Sequence, residues 1–147
     1  MRKSSIPALL TAMSVVCLAT GCDGGSDDAA STATAATADD TGTVLLYVAD
    51  RYEGVFELDP DTLEIIGLID TGPRPHGLVA SPDGALLYIT GETTNELLKV
   101  DVATNEIIAR TEISPVPNEP TITRDGRFVY APSRAGDQCD IVDTETM

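Results

Sequence analysis

His76 is the single histidine of this 147-residue chain. An imidazole can ligate a haem iron or serve as a general base near neutral pH. It stands in Arg74-Pro75-His76-Gly77, and the corresponding place 42 positions on holds Asn118. The chain's organisation therefore does not require an imidazole there, and a purely structural histidine competes with a cofactor ligand. Six aspartates, Asp59, Asp61, Asp83, Asp101, Asp125 and Asp143, could hold calcium. Their spacing is that of successive turns and not of a twelve-residue calcium loop, so hydrogen bonding to turn backbone is their expected role. Cys139 falls at an apolar strand position, aligned with Leu97 and Val55, and reads as a small buried hydrophobe rather than a reactive thiol. Arg51, Arg74 and Arg134 fall between apolar runs, where they could line a ligand site on an otherwise acidic surface. No nucleophile–base pair, phosphate loop or Cys/His metal cluster is present, so no catalytic or metal residue is assigned and the reading leans away from an enzyme.

The elements that must position these residues follow from one stretch. Gly77–Ala80 is a short apolar run, Ser81-Pro82-Asp83-Gly84 a turn, and Leu86–Thr90 a second apolar run. Pro82 presets φ at the first corner, Asp83 can bond its own backbone, and Gly84 tolerates positive φ. Thr121–Tyr130 repeats the layout 42 positions later, from Asp83 to Asp125 and from Tyr88 to Tyr130. A fixed period of that size marks a repeat architecture. Ten short runs alternate with turns: 44–49, 55–58, 63–69, 77–80, 86–90, 97–100, 106–113, 121–123, 128–131 and 139–142. That texture predicts an all-β chain with no helix after residue 21. Asp59, Asp101 and Asp143 also fall 42 apart, so each unit supplies four strands, the content of one propeller blade.

At this point a family resemblance becomes specific. Tyr47-Val48-Ala49-Asp50, Tyr88-Ile89-Thr90-Gly91 and Tyr130-Ala131-Pro132-Ser133 resemble the Tyr-Val-Thr-Asn signature of YVTN-type β-propeller repeats. Asp101-Val102-Ala103-Thr104-Asn105 and Asp143-Thr144-Glu145-Thr146 resemble that family's turn after the third strand. Pro75-His76-Gly77, followed by Ser81-Pro82-Asp83-Gly84, resembles its entry to the innermost strand. The resemblance implies four-stranded antiparallel blades over residues 43–147, in units of about 43–84, 85–126 and 127–147. Only about two and a half blades are present, starting at a second strand whose inner partner is missing. Propellers have about 4–8 blades, or roughly 170–340 residues at this period. The expectation is therefore the N-terminal piece of a longer protein or a truncated reading frame, with self-assembly of short chains into a ring as the rival.

The N-terminus predicts where the chain resides. Met1-Arg2-Lys3 and the uncharged run 6–18 read as a secretory signal peptide over residues 1–21, too short for a bilayer span. Leu18-Ala19-Thr20-Gly21-Cys22 resembles a bacterial lipoprotein box, which implies lipidation of Cys22 and anchoring in the cell envelope, facing the periplasm or the cell surface. Residues 22–42 then form an acidic tether rich in Ala, Thr, Ser and Gly, without enough apolar surface to fold. The formal charge is −15, and loss of Arg2 and Lys3 with the signal leaves 7 basic against 24 acidic residues, or −17. That excess repels nucleic acid. The expected partners are the membrane, through the lipid anchor, and an unknown protein or small-molecule ligand. The function expected is that of a binding scaffold. The alternatives implied by similar propellers are a redox-enzyme domain or accessory of the haem-d1 or amine-dehydrogenase kind, with His76 as the candidate ligand, and a lactonase-like hydrolase.

Overall fold

The computed structural model describes residues 15–17 and 44–147. Eleven strands make three antiparallel sheets, and no helix occurs among the described residues. The first sheet runs β1 (Val15–Cys17), β2 (Leu46–Asp50), β3 (Gly54–Leu58) and β4 (Ile65–Ile69) in that spatial order. The second runs β5 (Pro75–Ala80), β6 (Leu86–Gly91), β7 (Glu96–Asp101) and β8 (Glu106–Glu112), and the third β9 (Thr121–Ile122), β10 (Phe128–Pro132) and β11 (Cys139–Asp143). All ten expected strands from residue 44 onward are present, each shifted by at most two residues at an end.

The first sheet differs from expectation at its inner edge. That place is not vacant: Val15–Cys17 pairs with β2, Val15 opposite Val48 and Cys17 opposite Leu46. An unpaired strand edge accepts any extended apolar segment that reaches it, and two adjacent β-branched valines favour the extended form.

The turns repeat as the sequence does. Gly84 and Gly126 take φ of 75° and 74°, and their N–H groups donate to the carbonyls of Ser81 and Thr123, both at 2.9 Å. The carboxylates of Asp83 and Asp125 accept from the hydroxyls of Ser81 and Thr123 and from the N–H groups of Ala85 and Arg127. Those bonds hold both carboxyls below the usual carboxylate range. Asp59 and Asp101 accept from the backbone of Thr62 and Thr104 in the turns after the third strands, and Asp143 from that of Glu145. Five of the six aspartates thus bind turn backbone, and Asp61 enters the same turn through its N–H, which donates to Asp59.

Burial explains the order of the layers. One cluster, with Tyr47, Val55 and Ile69 meeting Leu78, Leu87, Ile89, Leu98 and Val100, joins the first sheet to the second. Another, with Val79, Tyr88 and Leu97 meeting Val129 and Ala131, joins the second to the third. The second sheet is covered on both faces, so β5 and β6 are apolar almost throughout, whereas its outer strand β8 alternates exposed and half-buried positions. Cys139 is exposed, contrary to expectation. Its repeat equivalent Leu97 points at the third sheet, but no described sheet covers the face that carries Cys139 and Ile141, the latter 62% exposed.

Candidate functional site

The antiparallel course sends alternate loops to opposite edges of the stack. At one edge, backbone bonds link the loops in series. Arg74 N–H donates to the Arg51 carbonyl at 3.0 Å, and Glu92 N–H to the Arg74 carbonyl at 3.0 Å. Arg134 N–H donates to the Val116 carbonyl at 2.9 Å, and the Asn95 side chain accepts from Val116 N–H at 3.1 Å. Arg74 and Val116, 42 apart, both lie in the left-handed region, at φ of 61° and 53°. That backbone corner turns each chain into the next inner strand and aims the Arg74 side chain at Glu92.

Here the charged groups converge. Arg74 grips Glu92 at two points, Nη2 to Oε1 at 2.7 Å and Nε to Oε2 at 3.3 Å. Arg134, from the third sheet, reaches the same Oε1 at 3.2 Å. His76 Nδ1 lies 3.9 Å from Glu92 Oε2. The hydrogen bond from Arg74, with the nearby guanidinium charges, holds the Glu92 carboxyl below its ordinary range. His76 is itself buried, 9% exposed, and its Nε2 meets Asn118 Oδ1 at 2.7 Å. A carboxamide oxygen only accepts, so Nε2 is the donor in this contact. Nδ1 is buried and has no hydrogen-bond partner.

Two small residues bring the inner strands this close. A Cβ on Gly77 would stand 2.6 Å from both Glu119 Cα and Pro120 Cδ, so only glycine admits the neighbouring segment. Thr90, fully buried, donates its hydroxyl to the Asn118 carbonyl at 3.0 Å and accepts from Gly77 N–H at 3.0 Å. The threonine of the Tyr-Ile-Thr-Gly stretch therefore sews β6 to β5 and to the third sheet's entry loop.

Of the residues singled out from sequence, the structure brings together His76, Arg74 and Arg134, with Arg51 on the adjoining loop. Cys22 lies outside the described residues. Sequence reasoning passed over Glu92, the hub, though a signal was present. Arg51, Glu92 and Arg134 each fall four residues after Tyr47, Tyr88 and Tyr130, so one repeat position reads Arg, Glu, Arg in successive units.

The opposite edge holds a cavity of about 330 Å³ between the second and third sheets, lined by Asp83, Tyr88, Lys99, Asp125, Thr144 and Glu145 among others. Lys99 Nζ donates to the Thr144 carbonyl at 2.7 Å, and burial raises the Tyr88 phenol above its usual range. Its carboxylates are largely committed to their own turns, and it joins sheets rather than gathering open groups.

Neither a family model nor a curated protein sequence matches the chain. Among solved structures it is similar to Kuenenia stuttgartiensis hydrazine synthase, with a TM-score of 0.66 and 23% identity over 72% of this chain and 31% of that one. It is also similar to a functionally unknown protein from Desulfotomaculum acetoxidans, with a TM-score of 0.58 and 18% identity over 67% of this chain and 33% of the other. At these identities the likeness defines a fold, a stack of three- and four-stranded antiparallel sheets. The chain spans about a third of the length of either neighbour.

Proposed function

We propose that this chain is an exported, lipid-anchored binding module whose sheets are blades of a YVTN-type β-propeller. In this reading residues 1–21 direct export, Cys22 carries the lipid, and residues 22–42 hold the folded units off the membrane. Residues 43–147 supply part of a ring, and the ligand, a small molecule or a protein segment, sits on the loop edge that holds Glu92. The observation that carries the reading is the convergence of Arg74, Glu92, Arg134 and His76 from two sheets onto one edge. Core packing alone would not collect charged groups there in a chain of formal charge −15. The exposed face of β11 and the one-third coverage of both structural neighbours support further blades. Fold does not fix function, so the site bears the argument.

The test is the intact mass of the protein extracted from its native membrane. Cys22–Met147 plus acyl chains supports the anchor and makes the short chain the working product. A mass two- to threefold larger supports the ring of additional blades. A mass without acyl chains removes the lipid anchor.

A redox role is the second reading, favoured by the likeness to hydrazine synthase. As the ring lies, His76 does not fit a haem iron: Nε2 is engaged by Asn118 and Nδ1 is covered. A visible absorption band in the native protein that disappears in His76→Ala would favour the redox role, and a colourless protein would remove its haem version.

A further inference from the structure

We infer that the Arg74–Glu92–Arg134 cluster is a seat for a small oxyanion, the carboxylate or phosphate group of a metabolite-sized molecule. The inference rests on the binding-module reading and names its ligand class. The charge argument comes first. Two guanidinium groups share one carboxylate, and Arg51 stands on the adjoining loop, so the cluster is positive in a strongly acidic molecule. A local reversal of sign concentrates anions there.

Geometry divides the labour. Arg74 is fixed by its two-point grip on Glu92 and by its backbone bond to Arg51. Arg134 is held less: it reaches Glu92 through one nitrogen at 3.2 Å, and its side chain is 42% exposed. A guanidinium has five donors in a planar fork suited to two-point recognition of carboxylate or phosphate. Arg134 is therefore the outer claw and Arg74 the inner wall. Glu92 Oε1, between the two guanidiniums, marks where an anion oxygen is accommodated. The buried His76 Nδ1, unpartnered beside Glu92, shows that the cluster is not closed on itself.

The experiment uses protein purified from its membrane and records the arginine Nε–H resonances at fixed ionic strength. Succinate and inorganic phosphate are the anionic probes, and glucose and methylammonium the neutral and cationic ones. Saturable shifts with the anions at Arg74 and Arg134, with Arg110 unmoved, are expected. Arg134→Gln should weaken anion binding by about tenfold, the loss of a charge-assisted contact. Arg134→Lys should weaken it less, and Arg110→Gln, which breaks a separate pair with Glu96, should leave it unchanged. Anion shifts equal at every arginine, or indifferent to Arg134→Gln, overturn the inference. If glucose or methylammonium, but neither anion, moves the cluster, the ligand class is wrong and the binding module stands. If no probe of any charge moves it, both fall.

Discussion

Leu63 holds a left-handed backbone, φ 57°, in the turn between β3 and β4, where its repeat equivalent is Asn105, also at φ 57°. Asparagine tolerates that region and a branched apolar side chain does not. Leu63 is also 54% exposed, so its side chain gains little from burial there. Leu63→Asn should stabilise the fold by about 1 kcal/mol, read from the urea midpoint at unchanged slope. Gly77 gives the opposite sign. Gly77→Ala drives a methyl against Glu119 Cα and the Pro120 ring, both 2.6 Å away, and should cost about 1–3 kcal/mol by the same measurement. Glu92 supplies a pH signature. Its folded carboxyl is held below the ordinary 4.5, chiefly by the Arg74 hydrogen bond. The stabilisation is therefore complete above that value and lost as pH falls through the lower, folded one. The stability gap between wild type and Glu92→Gln should stay constant above pH 4.5 and narrow below it in acid titrations.

At the scale of elements, the 42-residue period made the strands legible. Apolar runs, Asp-Gly turns and tyrosines recur at offsets of 41 or 42, and each feature has a local physical cause. The site was legible only in part. His76 and the three arginines stood out by type, but their meeting depends on the left-handed corner at Arg74, which no propensity predicts. Cys139 was misread because burial needs a neighbouring layer, and a strand's own pattern does not say whether one is present. The inner edge of the first sheet was misread for a related reason: pairing with β1 joins residues 29 to 33 positions apart in the chain. If export removes residues 1–21, β2 loses that partner. Amide exchange across Leu46–Asp50 should then be faster in the processed chain than in the precursor, with β6 and β7 unchanged. Equal protection in both would show that β1 contributes nothing to the sheet.

For the molecule as a whole, the two outer sheets are unlike the middle one. Leu97 is fully buried between sheets, and Leu97→Ala should cost about 2–5 kcal/mol whatever surrounds the stack. Ile141 occupies the uncovered face of the third sheet. In the 147-residue chain Ile141→Ser should change stability by less than about 0.5 kcal/mol, as for an exposed position. Where a further sheet covers that face, the same change should cost several-fold more. Comparing the two unfolding curves shows whether the face is covered.

The contact between His76 and Asn118 carries a consequence for how such a chain can arise. These residues occupy the same place in successive units, and they touch. Glu92 and Arg134 are likewise counterparts and form an ion pair. Exact duplication of one unit would have set imidazole against imidazole and carboxylate against carboxylate. Identical copies are thus self-antagonistic at this edge, and divergence there relieves the conflict before any ligand is involved. Sameness builds the sheets of this protein, while difference between the copies builds the place where they can do something.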